Sequence, residues 1–333
     1  MSELFTHLPH AVAPGYINLR TASGSEAKQC RDFCEYLWDR FKPYADDGFL
    51  QDFPTHLHQR FWEMYLTVAI LRAGNRIDAR KPGPDIGLLH RGKRIWIEAV
   101  AATQGDQTKA DSVPLYEPKL GEVSSRDVPT DQITLRCTAA ISAKFPTQYI
   151  RHVELGVINP GDCYIVAVNL AQADYWIDQG TPPYILRAVL GLHHPFVVLD
   201  RTTGEIREQG IHYRGQIPKK QGAAVDADLF LSDESSDVSA VICSVTNVST
   251  PANVPHSERL MGQDFLMVHN PMAQTPAPLG LLARGTEFHT SLYDDHFQVS
   301  EKRLRWACAR LLLTFLRRAG FWVVVRLTKR HRT

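Results

Sequence analysis

Apolar residues recur at helical spacing through residues 25–41, where Phe33, Tyr36, Leu37 and Phe41 form one stripe and Ser23 or Ser25 is placed to cap the first turn. A stronger stripe follows. Leu57, Phe61, Tyr65, Val68 and Leu71 predict a helix over 56–73, closed by Gly74. The period then changes from helical to extended. A short strand is predicted at 75–80, and residues 86–89 and 95–102 are apolar runs separated by the polar His90-Arg91-Gly92-Lys93. That pattern predicts two strands joined by a tight turn. Helical spacing returns over 131–154, with Pro146 placed to break or kink it. A buried-type strand is predicted at 162–170, and further strands at 196–199, 239–245 and 263–268 either extend its sheet or form a second layer. Near the end, Leu304, Ala307, Leu311, Leu312 and Phe315 repeat at helical spacing before a strand-like 321–325. The remaining stretches read as connections. Residues 1–22, with Pro9, Pro14 and Gly15, form an irregular arm; 43–54 is a loop whose Asp46-Asp47 is a solvated turn; 103–130 is a long polar loop.

Composition narrows the class. Of 333 residues, 44% are hydrophobic and 22% charged, the proportions of a globular protein. No apolar run is long enough for a membrane span, and the first residues lack the basic-then-apolar layout of a secretory leader, so a cytoplasmic location is the default expectation. The six cysteines form no CxxC pair and read as free thiols; Cys30 and Cys34 share a helical face as packing residues. A formal net charge of +1 gives no global attraction to nucleic acid, so any such affinity rests on local patches. The basic segment 301–333 is one patch, and Arg80, Lys81, Arg91, Lys93 and Arg94 around the hairpin are another. Neither a P-loop nor GxSxG, HExxH or GxGxxG occurs.

The hairpin carries the candidate chemistry. With Arg91-Gly92 as the two loop residues, Leu89 faces Arg94, Ile86 faces Ile97 and Asp85 faces Glu98. Directly opposed side chains are about 5 Å apart, and two carboxylates that close repel unless a cation or proton intervenes. Glu98 lies inside the apolar run 95–102, where a lone charge is costly without a partner. A hard divalent metal held through oxygen ligands answers both points. The bland alternatives are a turn Asp after Pro84 and an exposed strand Glu, and one residue of slip would turn one carboxylate to the other face.

Pro84-Asp85, twelve intervening residues and Glu98-Ala99-Val100 resemble the core motif of the PD-(D/E)XK nuclease superfamily, with its restriction-endonuclease-like fold. Glu63, on the helix before the hairpin, stands where that family has a Glu. The resemblance covers residues 55–170. It implies an α/β fold with a mixed central β-sheet flanked by helices, elaborated at both ends: 1–55 an N-terminal helical arm, 56–300 the α/β domain with extra strands, and 301–333 a basic helix and tail. It also implies Mg²⁺ or Mn²⁺ held by Asp85 and Glu98, with Glu63 reaching the metal directly or through water, and hydrolysis of DNA phosphodiester bonds. DNA is then the partner, and a homodimer is common among restriction-type enzymes. This chain departs from the pattern at Val100, where the family has its Lys. Lys144 or Lys109 would then supply the charge, or Gln104 or Gln148 would position the water. The alternative is an inactive nuclease-like module that binds nucleic acid or a protein partner.

Overall fold

The computed structural model describes residues 3–9, 12–78, 82–115, 121, 125, 127–173, 181–250 and 261–304, and the backbone of 322–326. Its helices are α1 (Pro14–Arg20), α2 (Ser25–Phe41), α3 (Phe49–Asp52), α4 (Leu57–Arg72), α5 (Thr130–Lys144), α6 (Thr147–Glu154) and α7 (Tyr184–Leu190). Its strands are β1 (Arg76–Ile77), β2 (Ile86–His90), β3 (Lys93–Ala101), β4 (Cys163–Asn169), β5 (Leu192–Leu199), β6 (Ile206–Tyr213), β7 (Gln216–Ile217), β8 (Val225–Asp226), β9 (Ala240–Ser244), β10 (Leu266–His269), β11 (Gly285–Leu292), β12 (His296–Leu304) and β13 (Trp322–Arg326).

One mixed sheet runs in the order β1-β2-β3-β4-β9-β10-β11-β12-β13. The three strands β3, β4 and β9 are parallel, as are β10 and β11; the other neighbours are antiparallel. Strand alternation divides the core in two. Ile95, Ile97 and Ala99 of β3 pack with α1, α2 and α4 on one face, while Trp96 and Val100 pack with α5 and α7 on the other. With helices on both faces, β4 is buried at every position. The chain is therefore α/β, with a large mixed central sheet between helical layers. Among the described residues no helix is long and apolar enough to cross a membrane.

The turn sets the hairpin register. Arg91 (φ 50°) and Gly92 (φ 80°) are both left-handed, the combination whose twist matches the strands it joins. Ile86 consequently faces Ile97 and Leu89 faces Arg94, the register that counting predicts. The helix over 56–73 and the strands at 162–170, 239–245 and 263–268 are present as α4, β4, β9 and β10, and the last three extend this same sheet.

Three readings change. The N-terminal arm is not irregular: Pro14 starts α1, where its missing N–H costs nothing, and Phe5 and Tyr16 are fully buried beneath it. The strand at 196–199 belongs to β5, which among the described residues pairs only with β6, in a separate ribbon whose Val197, Leu199 and Ile206 are exposed. Arg91, Lys93 and Arg94 sit at the turn end of the hairpin, roughly 13 to 20 Å along the strands from Asp85 and Glu98. Arg94 there pairs with Asp78 at 2.9 Å. Arg80, Lys81 and the helix expected over 304–315 lie outside the described residues, apart from Leu304 at the end of β12.

Candidate active site

Strand β2 stops at Ile86, while β3 runs on to Ala101. The β3 backbone groups that would meet a continued β2 therefore need other partners. The next position that would hydrogen-bond to β3 is Pro84, opposite Ala99, and a proline has no N–H to give. Asp85 Oδ2 accepts the Ala99 N–H at 2.7 Å. The Gln59 side-chain amide takes the rest: its Oε1 accepts from Ala101 N at 2.7 Å and its Nε2 donates to the Ala99 carbonyl at 3.2 Å. A carboxylate and an amide thus complete the sheet edge, and this fixes Asp85 beside Glu98.

Glu98 points to the α5 side of the sheet and is buried. Lys144 Nζ, at the last residue of α5, donates to Glu98 Oε2 at 2.9 Å. His152 Nε2, on α6, lies 2.9 Å from Oε1. Both carboxylate oxygens therefore have a partner, which is how the apolar strand tolerates the charge. Burial opposes the Lys144 charge, but Glu98, then Asp85 and Glu63, outweigh it and raise the Lys144 pKa.

Glu63 stands on the other side. It is buried on α4, with Gln59 Nε2 on one oxygen and Arg60 Nη1 on the other, both at 2.8 Å. Arg60 also pairs with Asp46 and Asp52 at 3.0 and 2.6 Å. Asp46 is thus part of the site's support rather than a solvated turn. Among the described residues, Glu63, Asp85 and Glu98 do not bring three ligand atoms within 4.8 Å of one another.

Asp85 and Glu63 open into a cavity of about 370 Å³, lined also by Asp46, Thr67, Arg151 and His152. Asp85 is exposed and lines this cavity. Burial first, then the charges of Glu98 and Glu63, push its pKa up to about 8, with Lys144 and the Ala99 N–H opposing. Oδ1 of Asp85 takes no hydrogen bond from the described residues. No protein-family model, curated protein or solved structure matches this chain.

The structure thus brings together Asp85, Glu98 and Lys144, with Glu63 behind them. It does not bring in Gln148. Residues 144 and 148 are four apart, the spacing of one helical face, but the chain breaks at Pro146 as its position predicts: α5 ends at Lys144 and α6 starts at Thr147. Gln148 makes no hydrogen bond to the carboxylates, and Lys109 is exposed on its loop. His152, Gln59 and Arg60 are the residues that sequence reasoning missed. Gln59 was within reach of it, four positions before Glu63 on the same helical face. His152 carried no signal, because its approach depends on how the chain turns at Pro146.

The Asp85 proton gives a pH prediction. Its folded pKa lies above that of an unfolded Asp, so the folded state holds the proton more tightly. That contribution is full below about pH 4, the unfolded value, and is lost as pH rises through about 8. Asp85→Asn keeps an acceptor for Ala99 N–H and carries no charge. In chelator, its melting temperature is expected to fall less than that of the wild type between pH 5 and 8.5. Parallel melting profiles would show that Asp85 is not held protonated by its neighbours.

Proposed function

We propose that the chain is a metal-dependent nuclease of the PD-(D/E)XK kind, hydrolysing DNA phosphodiester bonds at the Asp85–Glu98–Lys144 site. The observation that carries this reading is Lys144 Nζ at 2.9 Å from Glu98 Oε2, on the helix after the hairpin. It supplies beside Glu98 the positive charge that Val100 does not. The donor set fits Mg²⁺ or Mn²⁺: an Asp85 oxygen with no hydrogen-bond donor among the described residues, on a carboxyl group whose pKa is raised by burial and then by the neighbouring Glu98 and Glu63. Asp85 and Glu98 would hold the ion, and Glu63 would meet it through water. When bound, such an ion lowers the pKa of a coordinated water and neutralises charge on the scissile phosphate.

The remaining roles belong to the chain. Lys144, kept protonated by the carboxylates, donates to a phosphate oxygen or orients the attacking water. His152 fixes the second oxygen of Glu98, and Gln59 with Arg60 fixes Glu63. Arg151, on the cavity wall, offers a phosphate contact.

One observation favours a second reading. Glu98 is already compensated by Lys144 and His152, as a module that binds nucleic acid or a protein partner without cleaving would require. Plasmid incubated with the protein and Mg²⁺ or Mn²⁺ separates the two. Nicking or linearisation that stops in EDTA is the expected result. Retarded but intact DNA in either metal would support the binding module instead.

A further inference from the structure

A second cluster lies on the same sheet, three and four strands from β3 and so about 14 to 19 Å away across it. Parallel pairing of β10 with β11 sets Val268 beside Phe288 and therefore His269 beside His289, while Glu287 lies opposite Met267. Residues two apart on a strand share a face, so His269, Glu287 and His289 all project to the side of Met267, Leu281 and Leu282. The two imidazole rings stack with centroids 4.3 Å apart.

Two buried polar atoms of this cluster have no partner among the described residues. Glu287 is 0% exposed and His269 9%. Glu287 Oε1 accepts the Gly280 N–H at 3.1 Å. Among the described residues its Oε2 has no hydrogen-bond partner, and neither has His269 Nε2. These atoms face one another without touching: Oε2 lies 4.0 Å from His269 Nε2 and 3.7 Å from His289 Nε2. Both distances exceed a hydrogen bond. A fully buried carboxylate oxygen with no donor is costly. Two ligands each about 2.1 Å from a tetrahedral ion would be about 3.4 Å apart, a few tenths of an ångström closer than seen here. The three ligand atoms all lie within 4.8 Å of one another.

We propose that His269, Glu287 and His289 form a binding site for one transition-metal dication of the zinc class. Two imidazoles and one carboxylate favour such an ion over Mg²⁺ or Ca²⁺, which prefer oxygen alone. The Gly280 N–H orients the carboxylate, as an outer-shell donor does for a metal ligand. Three protein ligands leave a further position for water or a ligand atom. His289, whose side chain is 31% exposed, marks the side from which an ion enters. This site is independent of the nuclease reading, since it shares no residue with the Asp85 cavity.

The test uses the full chain, stripped of metal with chelator and kept reduced, and titrated with Co²⁺ at neutral pH while visible absorption is followed. One equivalent is expected to give d–d bands that Zn²⁺ removes. His289→Ala, at the partly exposed ligand, is expected to weaken Co²⁺ binding at least about tenfold with an unchanged metal-free circular dichroism spectrum. Glu287→Gln is expected to do the same where it folds, and Asp85→Asn to leave the bands unchanged. Absence of d–d bands in the wild type, or full retention of them in His289→Ala, overturns the site.

Discussion

Replacing Lys144 by alanine is expected to slow metal-dependent DNA cleavage by roughly 100- to 1,000-fold, the usual cost of removing one preorganised charge-stabilising donor. Lys144 reaches Glu98 from the end of α5. Val100 lies two residues beyond Glu98 on the same strand face, so a lysine there reaches the same carboxylate. Adding Val100→Lys to Lys144→Ala is therefore expected to return much of the rate. Single-turnover cleavage of a labelled duplex compares the three proteins. A wild-type rate in Lys144→Ala, or a double variant as slow as the single one, would show that this ammonium is not the working charge.

Removing Glu98 is expected to be the most destabilising change at the site. Glu98→Ala leaves the Lys144 ammonium, 23% exposed, and the buried His152 ring without their acceptor. Breaking a buried pair from one side costs about 3 kcal/mol or more. Urea denaturation would measure it. Replacing both Glu98 and Lys144 by methionine removes the unpaired charge, so the double variant is expected to lose less than the sum of the two single ones. Strict additivity would mean that the pair contributes nothing and that the Glu98→Ala loss is packing alone.

The sequence revealed the elements whose causes are local. A two-residue left-handed turn at Arg91-Gly92 fixes the hairpin register, and that register puts Asp85 next to Glu98. The α4 stripe and the all-apolar β4 were equally plain, because burial on known faces writes itself into the pattern. Lys144 was legible as one candidate among several, since a helix between two parallel strands must cross back over the sheet. His152 was not, because α6 starts afresh after Pro146 and its direction is a tertiary outcome. Arg60 and Asp46 were missed for the same reason: a charge network joining a loop to a helix has no sequence period. Pro14-Gly15 misled in the other direction, since a proline that ends one helix can begin another. The His269–Glu287–His289 cluster needed the parallel pairing of β10 with β11, which no spacing in the chain announces.

Single-turnover cleavage of a labelled linear duplex with saturating Mn²⁺, wild type beside Asp85→Asn, tests the nuclease reading most directly. The wild type is expected to cut only when metal is present, and Asp85→Asn to remain folded and leave the duplex intact. No cleavage by the wild type in either Mn²⁺ or Mg²⁺, or equal cleavage by the two proteins, would contradict it.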